Sequence, residues 1–131
     1  MKQIGERSEL AFAAKAIEHE LIPSFPFIPV AYDVIVDNGM QRYRVQVKST
    51  TNFDEAKHGK RWAVTCKVSD GSGGARPYNS YDCDFLAIHV VEINVWYIIP
   101  TNQESRMRLT FYPHKDDCWY HRYKESWGLL K

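Results

Sequence analysis

Ile4, Leu10, Ala14, Ile17 and Leu21 recur mostly at steps of three and four residues, with Glu6, Arg7, Lys15 and Glu18 between them. That period predicts an amphipathic helix over about residues 5–21, its Ile4-to-Leu21 stripe turned to a core. Pro23, Pro26 and Pro29 remove backbone donors and restrict the residues before them, so an extended connector follows. Tyr32 to Asp37 is β-branched and apolar, Asn38-Gly39 is a primed-turn pair, and Arg42 to Lys48 alternates strictly, which together predict a hairpin. Thr50 to Lys60 is polar and reads as a loop, Trp62 to Val68 as a strand, and the stretch holding Gly71, Gly73 and Gly74 as a flexible connection. Phe85 to Val91 and Val95 to Ile99 predict a second hairpin closed by Pro100. Met107 to Tyr112 suggests a further strand and Tyr123 to Leu130 a short helix. No repeat, low-complexity tract or linker interrupts the pattern, and 131 residues suit a single domain over 1–131.

A chain that is 44% hydrophobic and 14% aromatic can offset its ordering entropy by burial, which excludes disordered and collagen-like classes. Apolar runs stay short of the roughly 18 residues of a membrane helix, and Met1 to Glu9 carries charge where a secretion signal needs an apolar stretch. Cys66, Cys83 and Cys118 are odd in number and form no Cys-x-x-Cys pair, as suits reduced thiols. The expectation is a cytoplasmic protein without a membrane partner.

Closing the first hairpin on Asn38-Gly39 pairs residues whose numbers sum to 77, setting Asp33 opposite Arg44. Asp33, Ile35 and Asp37 then share a face with Arg42, Arg44, Gln46 and Lys48, while Val34, Val36, Tyr43, Val45 and Val47 fill the other. Gln46 becomes the diagonal neighbour of Asp33, about 7–8 Å away, close enough for a divalent ion to sit between a carboxylate and an amide oxygen. A three-residue loop would reverse the faces. Lys48 adds a point charge suited to a phosphoryl group, and Glu9 completes the set if the helix packs over the sheet edge. An exposed strand side shows the same alternation, so spacing alone leaves both readings open.

The formal charge of +1 argues mildly against a polyanionic partner, yet it averages a segment, residues 41–67, with seven basic and two acidic residues against a remainder of −4. Arg42, Arg44, Lys57, Lys60 and Arg61 in that segment, with Arg76 after it, are candidate contacts to DNA phosphates. Lys57-His58-Gly59-Lys60-Arg61 equally fits a solvated loop. His114, Cys118 and His121 would share one face of a continuous helix as zinc ligands, but Pro113 and the missing fourth partner favour packing and surface roles. Gly71-Ser72-Gly73-Gly74 lacks a following Lys-Ser/Thr, and neither Gly-x-Ser-x-Gly nor His-Glu-x-x-His occurs.

Gly5-x-x-Ser8-Glu9, Tyr32-Asp33 followed by Val-Ile-Val-Asp, and Gln46-Val47-Lys48 resemble the PD-(D/E)xK nuclease superfamily, in particular its group I intron-associated, homing-type endonucleases. Tyr81, Asp82, Asp84, Phe85-Leu86-Ala87, Tyr97-Ile98-Ile99-Pro100 and Glu125-x-Trp127 extend the likeness more loosely. The resemblance implies an α/β (α+β) restriction-endonuclease-like core, a mixed β-sheet flanked by an N-terminal helix and a C-terminal helical segment. It implies hydrolysis of DNA phosphodiesters with Mg²⁺ or Mn²⁺ by a homodimer or homotetramer. In that pattern Asp33 is the principal metal ligand, Gln46 stands where Asp or Glu is usual, Lys48 is the catalytic lysine and Glu9 the helix-borne acid. Tyr32 replaces the leading Pro, and Gln46 withdraws one negative charge from the ion, although the intron-associated branch is similar in carrying Gln there. Archaeal-type Holliday junction resolvases share the order of elements, so duplex and branched DNA are both implied substrates. An inactive DNA-binding or interaction subunit is the competing class.

Overall fold

Alternation along two adjacent strands explains the architecture. In β8 (Phe85–Val90) and β9 (Val95–Pro100), Phe85, Ala87, Trp96 and Ile98 belong to one core cluster, and Leu86, Ile88, Tyr97 and Ile99 to another. All eight are buried, so this sheet is covered on both faces. The computed structural model describes residues 2–57 and 59–131. The central sheet has the order β1-β2-β3-β8-β9, with β1 (Ile22–Ser24), β2 (Val34–Asp37) and β3 (Arg42–Thr50); β3 and β8 are parallel and the other pairs antiparallel. One face packs on helix α1 (Lys2–Glu18) through Phe12, Ala16, Val34, Val36, Val45 and Val47. Onto the other folds a three-stranded sheet in the order β10-β5-β4, made of β4 (Phe53–Ala56), β5 (Gly59–Thr65) and β10 (Arg108–Phe111). Trp62, Val64, Leu109 and Phe111 supply its share of the second core. A mixed α+β fold built on one helix and a multistranded sheet is thus what the sequence adopts.

The helix buries a different stripe from the one its period predicts. Leu10 and Ile17 are 63% and 62% exposed, while Ser8, Phe12, Ala13 and Ala16 are buried. Small residues at 8, 13 and 16 let the backbone approach the sheet closely, and Phe12 fills the space between with Trp96 and Trp127. Leu21, just past the helix, is buried as predicted. The side chains of Ile4 and Glu6, and all of His58, lie outside the described residues.

Three other elements depart from expectation. Pro23 sits within β1 rather than in a connector, which the sheet accepts because β1 is an edge strand. Thr50 to Lys60 is not a loop: β4 pairs with β5 through Asp54 opposite Arg61, Glu55 opposite Lys60, and Phe53 packed on Trp62 at 4.9 Å. Its stability comes from cross-strand pairs rather than apolar alternation. The C-terminal segment forms two 3-10 turns, Trp119–Tyr123 and Trp127–Leu130, instead of one helix. Between them Glu125 adopts φ 51°, and its carboxylate accepts hydrogen bonds from the Trp96 N–H at 2.8 Å and the Trp127 indole N–H at 2.9 Å. The glycine-rich stretch is a small hairpin of β6 (Val68–Ser69) and β7 (Ala75–Arg76), where the Asp70 carboxylate accepts from the Ser72 and Gly74 N–H groups. Those bonds hold the Asp70 pKa below its ordinary value. No helix is long and apolar enough to cross a membrane among the described residues.

Candidate active site

The first hairpin turns one residue later than Asn38-Gly39. The Asn38 N–H donates to the Gln41 carbonyl at 3.0 Å, so Gly39 and Met40 lie between, and Gly39 takes φ 94°. The Asn38 side-chain oxygen explains the choice, since it accepts from the N–H groups of Met40 and Gln41. Paired numbers now sum to 79, with Asp37 opposite Arg42 and Val34 opposite Val45, rather than 77. Sliding a two-residue turn by one position preserves the faces. Val34, Val36, Val45 and Val47 remain in the core, and Gln46 and Lys48 remain on the opposite side of β3.

Asp33 lies where the chain leaves the ladder. Its N–H donates to the Val45 carbonyl at 2.9 Å, and its carboxylate Oδ2 accepts the Val47 N–H at 3.0 Å. A side-chain oxygen thereby takes the place of a strand carbonyl, which fixes the carboxylate beside β3 without a rotamer search. Gln46 is buried, and its own backbone N–H reaches the Cys83 thiol. The Lys48 ammonium lies 5.8 Å from the centre of the Tyr78 ring and makes no hydrogen bond or ion pair with a described residue. Tyr78 also feels the charge of Asp33; burial first, and neighbouring acidic groups after it, push its pKa up to about 12. It therefore keeps its hydroxyl proton at neutral pH. Cys66 and Cys83 are raised to about 12 mainly by burial, so they act there as apolar groups and not as thiolates. From α1, Glu9 opens onto a groove of about 420 Å³ that Asp33 and Tyr32 also line, roofed by the Phe25-to-Val30 connector.

A family model described as PD-(D/E)XK endonuclease matches residues 1–127. The chain belongs to the PD-(D/E)XK endonuclease family. Among solved structures, a bacterial homing endonuclease, I-Ssp6803I, superposes with a TM-score of 0.81 at 21% identity, covering 99% of this chain and 92% of that one. This likeness is one of fold. MepB aligns with a TM-score of 0.41 at 14% identity over 83% of this chain and 78% of that one. No curated protein matches the chain.

Of the residues singled out by sequence in this PD-(D/E)XK chain, Glu9 and Asp33 share one groove, and the Lys48 ammonium lies over the Tyr78 ring. Tyr78 itself carries no periodic or motif signal. It arrives through the β6–β7 hairpin and the Arg76 guanidinium, which binds both oxygens of Asp82 at 2.7 and 3.0 Å. The other arginines singled out by sequence are likewise engaged: Arg42 with Asp37 at 3.3 Å, and Arg61 with Asp54 at 2.7 Å. Arg44 donates to Asp84 and to the carbonyls of Ser80 and Tyr81. The positive segment is therefore partly neutralised, by Asp37 and Asp84 outside it and Asp54 within it, leaving Lys57, Lys60 and Lys67 as exposed cations without such partners among the described residues. No three His, Cys, Asp or Glu side chains converge to hold a metal among the described residues, His114, Cys118 and His121 included.

Arg44 is the peg of this region, because the loop it binds carries Tyr81 to Asp84 and the Asp84 N–H donates back to the Arg44 carbonyl. Arg44→Ala removes four charge-assisted bonds of a half-buried group and is expected to cost about 2–3 kcal/mol. Urea unfolding monitored by tryptophan fluorescence measures this; an unchanged midpoint would show that the loop holds itself.

Proposed function

We propose that this chain is a divalent-metal-dependent DNA endonuclease of the homing or restriction-like kind, with Glu9, Asp33, Gln46 and Lys48 as its working residues. The observation that carries this reading is the shared groove of Glu9 and Asp33, with the Asp33 carboxylate bonded to the Val47 N–H on the strand that bears Gln46 and Lys48. The donor set of two carboxylates and one amide oxygen is hard and weakly charged, and it fits Mg²⁺ or Mn²⁺ better than a soft ion. Asp33, Gln46 and Glu9 would hold the ion, which when bound would activate water and neutralise phosphoryl charge.

The protein's own groups do the rest. Val47 holds the Asp33 carboxylate in place. The Lys48 ammonium, over the Tyr78 ring, stabilises charge developing on the phosphate. Lys57 and Lys60 lie on the exposed β4–β5 hairpin, where they can contact flanking phosphates. A chain with one such site cuts one strand at a time, so double-strand cleavage calls for a homodimer or homotetramer. The fold likeness to a homing endonuclease supports this subtype over the resolvase alternative.

The test is incubation of plasmid DNA and a synthetic four-way junction with Mg²⁺, Mn²⁺ or EDTA. Cleavage of plasmid that requires the ion is the expected result. Binding without cleavage on every substrate would reduce the chain to a DNA-binding subunit, and preferential cutting of the junction would move it to the resolvases.

A further inference from the structure

On the side of the molecule formed by β10 and the Trp119–Tyr123 turn lies a second groove, of about 320 Å³, whose lining includes Arg106, Arg108, Tyr112, Trp119, Tyr120 and His121 and no carboxylate. Glu9, Asp33, Gln46 and Lys48 take no part in its lining, to which Tyr97 also contributes. Arg108 is exposed, and its guanidinium makes no hydrogen bond or ion pair with a described residue. Trp119 is 45% exposed, and the Arg122 guanidinium, which is not part of the lining, backs its ring at 4.0 Å. Glu104, the adjacent acid, is already engaged by the Tyr120 hydroxyl and the N–H groups of Ser105 and Arg106. Arg106 already donates to the Tyr120 hydroxyl at 3.2 Å, so the uncommitted groups of this positively lined groove are the Arg108 guanidinium and the exposed part of the Trp119 indole.

Cations beside a partly exposed indole suit a phosphate and a base together, since stacking accepts any base and the guanidinium forks grip phosphate oxygens. The volume lies at the lower bound of small-ligand clefts, about 300 Å³, which fits one nucleotide and not a duplex. We propose that this groove takes an unpaired nucleotide of a DNA strand, its phosphate held by Arg106 and Arg108 and its base stacked on Trp119. The identification of the strand as DNA rests on the nuclease reading; the binding itself does not.

The test uses fluorescence anisotropy of a labelled single strand of about 12 nucleotides and of a blunt duplex, in EDTA, with free dAMP as a competitor. Arg108→Ala and Trp119→Ala are expected to weaken single-strand binding roughly 5- to 100-fold and to leave blunt-duplex binding and blunt-duplex cleavage unchanged. Trp119→Phe and Arg108→Lys, which keep a ring and a charge, should restore most of the affinity. Equal single-strand affinity in wild type and both alanine variants overturns the proposal. So does a groove-dependent affinity for dAMP when strand binding is unaffected. Because binding is read without a metal ion, failure of the chain to cut any DNA leaves this result intact, and loss of the groove effect leaves the cleavage result intact.

Discussion

Asp33→Asn lowers DNA cleavage by about 10²–10³-fold while folding and DNA binding stay near wild type. Asn is the informative replacement because Asp33 has two jobs. Its Oδ2 accepts the Val47 N–H and so holds the end of β2 against β3, a bond an amide oxygen can still make. Its negative charge serves the proposed ion, and only that is removed. Asp33→Ala would lose both, and a fall in activity could then come from a frayed strand. The measurement is the single-turnover cleavage rate across a series of Mg²⁺ concentrations, alongside a thermal melt. A loss that excess Mg²⁺ partly reverses, with the melting temperature unchanged, is the expected pattern. Wild-type cleavage by the Asn variant would remove Asp33 from the site.

The second large effect is on stability. Trp127 is 1% exposed; its ring stacks on Phe12 at 5.3 Å and on His19 at 4.9 Å, and its indole N–H donates to Glu125. Truncating a buried aromatic of this kind costs about 3–5 kcal/mol, a large part of a domain stability of roughly 5–15 kcal/mol. Trp127→Ala is therefore expected to lower the melting temperature by about 10–20 °C. Since Phe12 lies one turn from Glu9 on α1, the variant should also cut more slowly at temperatures where it is still folded. Trp127→Phe keeps the stack, loses only the bond to Glu125, and should fall between. A melting temperature within about 2 °C of wild type would show that the C-terminal turns contribute little to holding α1.

These effects also mark what the sequence could convey. The proposed site residues Glu9, Asp33, Gln46 and Lys48 stand out because their order and spacing resemble a motif, and β2, β3, β8 and β9 because β-branched runs alternate. The buried stripe of α1 was not, since alanines at 11, 13, 14 and 16 give little contrast on any scale and the sheet decides which of them it covers. The burial of Gln46 depended on a second sheet arriving from residues 53–65 and 108–111, a contact no local pattern announces. Counting arginines as DNA contacts failed to anticipate their partners for the same reason: Asp84 lies 40 residues from Arg44. The resulting lesson is specific to charge, because a net value over a segment describes available cations only after the acids that fold against it are known.

The hairpin that carries Asp33 has a bearing on how such genes can change. Adding or deleting one residue between Asp37 and Arg42 would rotate one strand by half a pleat against the other, presenting valines to the groove and acids to the α1 side. A gain or loss of two would not. Length variation in this turn is therefore confined to even steps, and a reading frame that preserves the protein can still inactivate it by a single codon.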